Sequence, residues 1–173
     1  MEEQLADEDN EDVYTLSKMA DILHALLATY KSSFFPYFDQ ICGHFVKLLS
    51  PERSWSDHQW ALCVFDDVIE FGGPDCAKYQ EFFLRPMIQY VSDKSAEVRQ
   101  AAAYGCGVLG QYGGEGFAQA CAEALPKLME VINDPESRSI ENINPTENAI
   151  SAVTKILKYN NKAINVDEIL PHW

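Results

Sequence analysis

Residues 93–110 have the sequence DKSAEVRQAAAYGCGVLG, and this stretch decides the fold. It has the apolar spacing of a helix, yet alanine and glycine stand where a buried helix face usually carries larger side chains. Small side chains allow a neighbouring helix to approach closely. The stretch therefore predicts a closely packed helix from Asp93 to Tyr112, which ends at Gly113-Gly114 because glycine readily forms a left-handed C-cap.

Helical periodicity extends on both sides of this stretch. Apolar residues recur at i, i+3 and i+4 spacing, and glycine, proline or asparagine interrupts the pattern between segments. No segment alternates apolar and polar residues between hairpin turns, so the predicted class is all-α. The other predicted helices cover residues 12–30, 34–49, 54–71, 75–91, 117–132 and 146–159, and a last one begins at Val166.

The predicted helices form pairs that resemble one another. Aligning Phe71 with Tyr112 gives an offset of 41 residues (112 − 71 = 41), and aligning Tyr112 with Tyr159 gives 47 (159 − 112 = 47). A two-helix unit with a period of about 40 to 47 residues is typical of HEAT and armadillo arrays, and an ordinary helical bundle is the alternative. The alignments superpose three small residues: Ala61, Ala102 and Ala149.

The central stretch resembles the signature of a HEAT repeat. Asp93 is followed by Val98-Arg99, and the small-residue helix ends near Leu109-Gly110. The resemblance implies an all-α HEAT-repeat α-solenoid, with about four antiparallel helix pairs in a right-handed superhelical stack. Each pair would bury its apolar faces against its neighbours, so that the core runs through the whole array.

The HEAT resemblance also implies a ladder of polar contacts between successive repeats. Asp93 and Arg99 occupy the positions that form this inter-repeat polar ladder. The alignments place His58 at the Arg99 position of the second repeat and Thr146 at that of the fourth. We therefore expect an incomplete ladder.

The helix pairs divide the chain into an N-terminal segment and four predicted repeats. The chain ends at Trp173 within an apolar helical pattern, so we expect a fragment of a longer array. The predicted parts are an acidic loop or tail at 1–12, HEAT repeats at 13–50, 54–92 and 93–133, and a HEAT repeat at 146–173 that is truncated in its second helix.

The 173-residue chain is strongly acidic. It has 27 acidic residues against 13 lysines and arginines, a formal net charge of −14, and 47% hydrophobic residues. This charge argues against nucleic acid and anionic membrane surfaces as ligands, because both repel an acidic protein. It favours a basic protein partner, or it merely confers solubility. No apolar run approaches the roughly 20 residues of a membrane span, so we expect no membrane insertion.

Half of the net charge lies in the first twelve residues. They contain seven acids and no base, which leaves 20 acids (27 − 7 = 20), 13 bases and a net charge of −7 for the remainder. Such a run predicts a solvated tail or a loop between ordered parts, and the electrostatic case for a basic partner rests first on it. The acidic run consists of Glu2, Glu3, Asp7, Glu8, Asp9, Glu11 and Asp12.

Six segments carry a more specific resemblance. They are DVYTLSK at 12–18, QWALCVFDDVIE at 59–70, FLRPMIQYV at 83–91, EVRQAAAYG at 97–105, TENAISAVTK at 146–155 and INVDEILPHW at 164–173. In these segments the chain resembles members of the importin-β family, which are nuclear import receptors built from HEAT repeats. The resemblance covers almost the whole chain, and the transport function is implied by it and not by composition or periodicity.

The importin-β resemblance implies a binding scaffold without chemistry. Its partners would be basic cargo proteins, such as ribosomal proteins and histones, and the Phe-Gly repeats of nucleoporins. Ran-GTP would release the cargo, mainly through parts of the parent protein outside this chain. The protein would shuttle between cytoplasm and nucleus through the nuclear pore.

The same resemblance places the second helix of each pair on the concave side of the array. Polar residues on these helices are therefore candidates for a partner surface, in which Lys47, Arg85 and Lys127 interrupt the acidity. A solvated polar face without a partner is the alternative interpretation. The candidates are Asp39, Gln40, His44, Gln80, Glu81, Gln119, Glu123 and Glu130.

A second function class is a HEAT-repeat scaffold subunit of a multiprotein complex, of the phosphatase or condensin type. An enzyme is the least favoured class, and we expect no cofactor and no metal. The four histidines lie on different predicted helices, without the H-x-x-x-H or H-E-x-x-H spacing of a metal site. Gly105, Gly107 and Gly110 match G-x-G-x-x-G, but they lie within a helix and follow no strand, so the dinucleotide interpretation fails.

Asp66, Asp67 and Glu70 form an acidic group inside an otherwise apolar helix. Adjacent helical residues diverge by about 100°, which disfavours a catalytic carboxylate pair. We expect a solvated face or an inter-repeat capping contact in preference to a partner site.

Aromatic residues and cysteines are the last groups with a predicted location. We expect four aromatic residues in the core or at a groove edge, and a Phe-Gly peptide pocket between helices is the less favoured alternative. The five cysteines form no C-x-x-C pair and are expected to be buried and reduced. The four aromatic residues are Phe82, Phe83, Tyr104 and Tyr112.

Overall fold

A computed structural model describes the backbone of residues 2–164 and the side chains of residues 14–164. Seven α-helices, joined by turns and short 3₁₀ segments, make up this part of the chain, and it contains no strand. The all-α class is therefore confirmed, whereas the predicted helix from Val166 lies outside the described residues. The helices are α1 (Glu2–Tyr30), α2 (Phe35–Leu48), α3 (Trp55–Gly72), α4 (Gln80–Tyr90), α5 (Ala96–Tyr112), α6 (Ala118–Asn133) and α7 (Ile143–Tyr159).

The helices pack in two layers. In the first layer, α1, α3, α5 and α7 lie side by side in chain order. The second layer consists of α2, α4 and α6, and each of these helices packs against the first-layer helix that follows it. Each helix pair therefore completes its core with the next pair, which is the packing expected of a repeat array.

We call the four predicted repeats, in chain order, the first to fourth units. A row of aromatic rings connects the first three units through the core between the layers. Phe38 of α2 meets Phe65 of α3 edge to face, with ring centroids 6.3 Å apart. Phe65 contacts Phe83 of α4 at 5.7 Å, and Phe83 contacts Phe117 at 6.3 Å. Each such aromatic pair contributes roughly 0.5–1.5 kcal/mol beyond the burial of its area.

Small residues set the distance between α5 and α7. A Cβ atom at Gly110 would lie 2.7 Å from Cγ1 and 3.0 Å from Cα of Ile156. A Cβ atom at Gly107 would lie 3.1 Å from Cα of Ala152. The backbones of α5 and α7 are thus in contact, which is the close packing that the sequence of residues 93–110 predicts.

Several helix boundaries follow the local signals in the sequence. Ser54 is the N-cap of α3, where its hydroxyl accepts a hydrogen bond from the Asp57 amide at 3.2 Å. Gly73 ends α3 with a φ of +57°, and Lys31 follows the end of α1 with a φ of +52°. The segment Gly73–Tyr79 is a 3₁₀ helix, so the predicted helix over 75–91 begins as an α-helix only at Gln80.

The prediction of an acidic loop or tail at 1–12 is wrong for the described backbone. Helix α1 begins at Glu2, so the acidic run forms its first turns. Glutamate has a high helix propensity, and negative side chains near a helix N-terminus interact favourably with the helix dipole. The run also continues without a break into the apolar stripe of α1. Its side chains, from Glu2 to Asp12, lie outside the described set.

Two first-layer helices begin elsewhere than predicted. Helix α5 begins at Ala96 because Ser95 is its N-cap and accepts a hydrogen bond from the Val98 amide at 3.4 Å. Helix α7 begins at Ile143, ahead of Thr146, the predicted cap. The Thr146 hydroxyl instead donates to the carbonyl oxygen of Ser137 at 2.9 Å, so it fastens the preceding loop.

We predict opposite effects for two glycine-to-alanine substitutions in helices. Gly110→Ala should lower the free energy of unfolding by about 1–3 kcal/mol, because the new methyl group overpacks the α5–α7 contact. Gly43→Ala in α2 is the matched control, since nothing lies within 4 Å of the added Cβ. It should stabilise the chain by about 0.5–1 kcal/mol through helix propensity. Urea unfolding followed by circular dichroism measures both, and equal effects would contradict the packing.

Candidate partner-binding surfaces

The eight predicted candidates for a partner surface are all exposed on the second layer. Three lie on α2, two on α4 and three on α6, so the structure brings them to one layer without burying any of them. Among the bases predicted to interrupt this surface, Lys47 and Arg85 are exposed and Lys127 is half-buried. By helix, the candidates are Asp39, Gln40 and His44, then Gln80 and Glu81, then Gln119, Glu123 and Glu130.

Asp39 differs from the other candidates because its carboxylate is already occupied. It pairs with Lys78 at 2.5 Å and accepts a hydrogen bond from the Tyr79 hydroxyl at 2.8 Å. The Lys78 contact, together with the Tyr79 hydrogen bond, lowers the pKa of Asp39. Tyr79 also donates to the Phe35 carbonyl oxygen at 3.2 Å. Asp39 therefore links the first and second units and offers little free charge to a partner.

Free carboxylates remain elsewhere on the second layer. Glu81 and Glu130 are exposed and make no hydrogen bond or ion pair with any described residue. Glu123 accepts one hydrogen bond, from the side-chain amide of Gln119 at 3.3 Å. These three glutamates hold the available negative charge of the candidate surface.

Arg99 reaches the next unit, whereas Asp93 does not. One guanidinium nitrogen of Arg99 donates to the carbonyl oxygens of Asp93 and Lys94 at 2.8 and 2.9 Å. The other donates to Oδ1 of Asn142, in the loop before α7. The carboxylate of Asp93 accepts from the Ser95 amide at 2.8 Å, so it stabilises the turn before α5. The expected ladder therefore crosses this interface through Arg99 and Asn142, without a contact from the Asp93 side chain.

The aligned residues of the second and fourth units make an equivalent bond. His58 Nε2 lies 2.9 Å from the Ser50 carbonyl oxygen, and because a carbonyl only accepts, Nε2 carries the proton. Thr146 makes its bond to the Ser137 carbonyl oxygen in the same way. His58, Arg99 and Thr146 occupy the same repeat position, and each donates to a main-chain carbonyl oxygen of the loop before its own helix. Because the three residue types differ, the sequence does not show this shared contact.

Two other hydrogen bonds join successive units at the helix ends. The Tyr90 hydroxyl of the second unit donates to the Leu49 carbonyl oxygen of the first at 2.8 Å. The Asn160 side chain of the fourth unit donates to the Gly114 carbonyl oxygen of the third at 2.9 Å. Each bond joins the C-terminal ends of corresponding helices in two successive units. Because hydrogen bonds are directional, these contacts restrict the orientation of one unit relative to the next.

The acidic group of α3 is divided among three environments. Asp67 lies 2.9 Å from Nδ1 of His24 on α1, and Glu70 accepts a hydrogen bond from the Tyr104 hydroxyl of α5 at 2.8 Å. Both are contacts between units, as one of the two sequence interpretations expects. Asp66 is only 3% exposed, so a solvated face is wrong for this residue. The helical rotation turns Asp66 toward α5, where Gly105 leaves room for it.

Burial determines the protonation of this group. Burial raises the pKa of Asp66 well above its usual range, and the neighbouring charges of Asp67 and Glu70 raise it further. Burial also raises the pKa of Asp67, while the His24 contact acts in the opposite direction. The Oδ1 atom of Asp66 has no hydrogen-bond partner among the described residues, and the same holds for the indole Nε1 of Trp60.

The aromatic candidates occupy different positions. Phe83 is fully buried and Phe82 half-buried, while Tyr104 and Tyr112 are 39% and 37% exposed at the surface of α5. Sequence reasoning did not single out Trp60, although it shares a helix face with Cys63 and Asp67 at i, i+3, i+7 spacing. That spacing is the signal that could have identified it.

The cysteines are free, and four of the five are buried. Burial raises the pKa of Cys42 to about 11 and that of Cys63 to about 12. Thiols with such a pKa are poor nucleophiles at neutral pH.

None of the described helices is long and apolar enough to cross a membrane.

Two family models match parts of the chain. A model described as Importin repeat 6 matches residues 1–51, and the HEAT repeat model matches residues 83–113. Importin subunit beta-3 of Saccharomyces cerevisiae is 36% identical over 115 residues, which cover 66% of this chain and 11% of the relative. The chain therefore spans only a small part of that relative.

Solved structures of a karyopherin have the same fold. The crystal structure of the karyopherin Kap121p bound to the SUMO protease Ulp1p is 27% identical with a TM-score of 0.82, over 90% of this chain and 15% of that one. The crystal structure of Kap121p bound to Nup53p is 26% identical with a TM-score of 0.80, over 94% and 15% of the two chains. The HEAT-repeat solenoid expected from the sequence is thereby confirmed.

We predict that Asp66→Asn changes how stability depends on pH. The raised pKa means that the folded state holds the Asp66 proton more tightly than the unfolded chain, whose aspartates titrate near pKa 3.9. The wild-type chain therefore loses stability as the pH rises from the unfolded pKa through the folded one. The free energy of unfolding of Asp66→Asn, relative to that of the wild type, should therefore increase over this pH range. The increase should be at most about 1.4 kcal/mol per pH unit and should then level off.

Urea unfolding of both chains at several pH values above about 4 measures this difference. Asp75→Asn, at an exposed aspartate, is the control for removal of a carboxyl group as such. A difference between Asp66→Asn and the wild type that does not vary with pH would contradict the buried, unpaired carboxyl group.

A double-mutant cycle tests the contact between Arg99 and Asn142. The single substitutions Arg99→Ala and Asn142→Ala should each destabilise the chain, and the double variant should lose less than their sum. We expect a coupling of about 0.5–3 kcal/mol in urea unfolding, as for residues in one hydrogen-bonded network. A cycle of Arg99→Ala with Gln119→Ala, on the other layer, should show no coupling.

Proposed function

Because this chain belongs to the importin-β family, we propose that it is a cargo-binding segment of a nuclear transport receptor. Proteins of this family are transport receptors and not enzymes, in agreement with the expectation from the sequence. The proposed cargo is a basic protein, such as a ribosomal protein or a histone. In the parent protein, Ran-GTP would control cargo release mainly outside this segment, and the receptor would shuttle between cytoplasm and nucleus.

The observation that carries this proposal is the unpaired acidity of the second layer. Glu81, Glu123 and Glu130 are exposed, and no base among the described residues pairs with them. Carboxylates in this state attract lysine and arginine side chains and accelerate encounter with a basic partner. Asp39 is excluded from this role by its pairing with Lys78.

The acidic run at the start of α1 is a second source of attraction. Its seven acids supply half of the net charge of the chain. In a helix, these charges remain concentrated over a few turns, so they would extend the field felt by a basic cargo before contact. We propose that the run contributes to the rate of association, while the second layer contributes the contacts.

The relatives support binding of proteins as the general activity. The karyopherin Kap121p has been crystallised bound to Ulp1p and bound to Nup53p. For this chain we propose nucleoporin Phe-Gly repeats as a second class of partner. The names of the matched relatives favour transport over a scaffold of the phosphatase or condensin type.

We predict that reversing three charges on the second layer weakens binding of a lysine-rich peptide. The triple variant Glu81→Lys, Glu123→Lys, Glu130→Lys should weaken binding on the order of tenfold or more in fluorescence anisotropy, because like charges then face each other. Binding to the wild-type chain should also weaken as salt rises, since exposed charges are screened.

The control variant carries the same change in net charge at other places. Asp75→Lys, Glu141→Lys, Glu147→Lys alters three exposed acids outside the second-layer helices. It should reduce binding much less. Equal losses in the two variants would mean that net charge alone attracts the peptide, and the second layer would then not be the binding surface.

The contribution of the acidic run can be measured separately. Replacing its seven acids by glutamine or asparagine keeps polar side chains while removing the charge. We expect slower association in stopped-flow measurements with little change in dissociation, since long-range charge acts mainly on the association rate. An unchanged association rate would assign the run to solubility alone.

A further inference from the structure

A cleft of about 250 Å³ opens in the first layer where α1, α3 and α5 meet. All of its lining residues belong to these three helices, and none belongs to the second layer. Apolar atoms of Trp60, Cys63 and Tyr104 form walls, and Asp66 lies at the bottom among buried residues. The cleft is therefore separate from the surface proposed above for cargo.

Two buried polar groups that line this cleft have no hydrogen-bond partner among the described residues. One is an acceptor, Oδ1 of Asp66, and the other is a donor, the indole N–H of Trp60. Buried polar groups in native proteins are nearly always hydrogen-bonded, so two unpaired groups in one cleft point to a missing partner. A ligand that supplies both a donor and an acceptor would satisfy the two groups together.

The other carboxylates of the cleft are occupied. Asp67 pairs with His24 at 2.9 Å, and Asp21 pairs with Lys18 at 3.0 Å. Glu70, next to the cleft, accepts the hydrogen bond from Tyr104. Asp66 is thus the one carboxylate lining the described cleft that lacks a partner, and it stands in a field made more negative by its neighbours.

We propose that this cleft is a recognition pocket for a lysine side chain of a partner polypeptide. On binding, Asp66 releases its proton to solvent and its carboxylate pairs with the ammonium group, while a main-chain carbonyl of the partner accepts from the Trp60 indole. Lysine fits better than arginine, because a single free carboxylate matches a point charge and not the planar fork of a guanidinium. The methylene groups of lysine pack along the aromatic walls.

The pocket differs from a metal site in its donor set. Among the described residues, no group of three or more histidine, cysteine, aspartate or glutamate side chains could hold a metal ion. An indole N–H cannot coordinate a cation, whereas a peptide carbonyl can accept from it. A cation that carries its own hydrogen-bond acceptor, such as the lysine of a polypeptide, satisfies both groups of this pocket.

Entry of the lysine requires only a local movement. Oδ1 of Asp66 lies against Gly105 of α5, where a Cβ atom would clash with it. The Cβ–Cγ torsion of aspartate is broad, so a partial rotation of the carboxylate turns an oxygen toward the cleft while the helices stay in place.

Two-dimensional ¹H–¹⁵N NMR of the chain tests the proposal with two peptides. The probes are acetyl-Gly-Ala-Lys-Ala-Gly-amide and the same peptide with norleucine, which has a similar apolar chain without the charge. We expect the lysine peptide to shift the indole N–H resonance of Trp60 saturably, while the norleucine peptide does not. Asp66→Asn should weaken this binding on the order of tenfold or more, because it removes the counter-charge and keeps the shape.

Control variants distinguish binding in this pocket from binding elsewhere on the chain. Asp75→Asn should leave the titration unchanged, and unfolding curves establish that Asp66→Asn is folded. The second-layer variant Glu81→Lys, Glu123→Lys, Glu130→Lys should retain the Trp60 shift, so failure of the cargo surface and failure of the pocket are distinguishable. Equal shifts with both peptides, the same shift with sodium chloride alone, or full binding by Asp66→Asn would each overturn the proposal.

Discussion

The contact between α5 and α7 through Gly107 and Gly110 is the constraint on which the rest of the array depends. These glycines bring the two backbones together, since any side chain would meet Ala152 or Ile156. Because the first-layer helices pack so closely, larger apolar side chains occupy the space between the two layers. Phe65 and Phe83 belong to the continuous core in this space. The order of the helices then follows from burial alone, because no unit can cover its own apolar face.

Polar contacts add direction to this packing. Apolar burial is non-directional, so it would allow one unit to slide or rotate on the next. The bonds from Arg99 to Asn142, from Tyr90 to Leu49 and from Asn160 to Gly114 each join two units at a defined place. They are made largely to main-chain carbonyls or through neutral side chains. Apart from Asp39, which pairs with Lys78, the exposed carboxylates of the second layer are consequently not consumed in holding the array together.

Asp66 is the exception among the carboxylates. A carboxyl group buried without a partner destabilises the folded state, and its raised pKa reflects that destabilisation. The groups around it are all engaged, with Asp67 on His24 and Glu70 on Tyr104. Such a group is easier to understand as part of a binding pocket than as part of the core, because an apolar residue of similar size would pack there without penalty.

The all-α class, most of the helices and the resemblance to the importin-β family could be predicted from the sequence. Periodicity and the signals at Ser54 and Gly73 depend on local conformational preferences, which act on neighbouring residues and can be read directly. The sequence could not show that Asp39 is paired with Lys78 or that Arg99 contacts Asn142, because these partners are far apart in the chain and meet only after packing. Tertiary structure alone also decided the burial of Asp66: helical rotation orients the side chain, but only the position of α5 decides whether it meets water or protein.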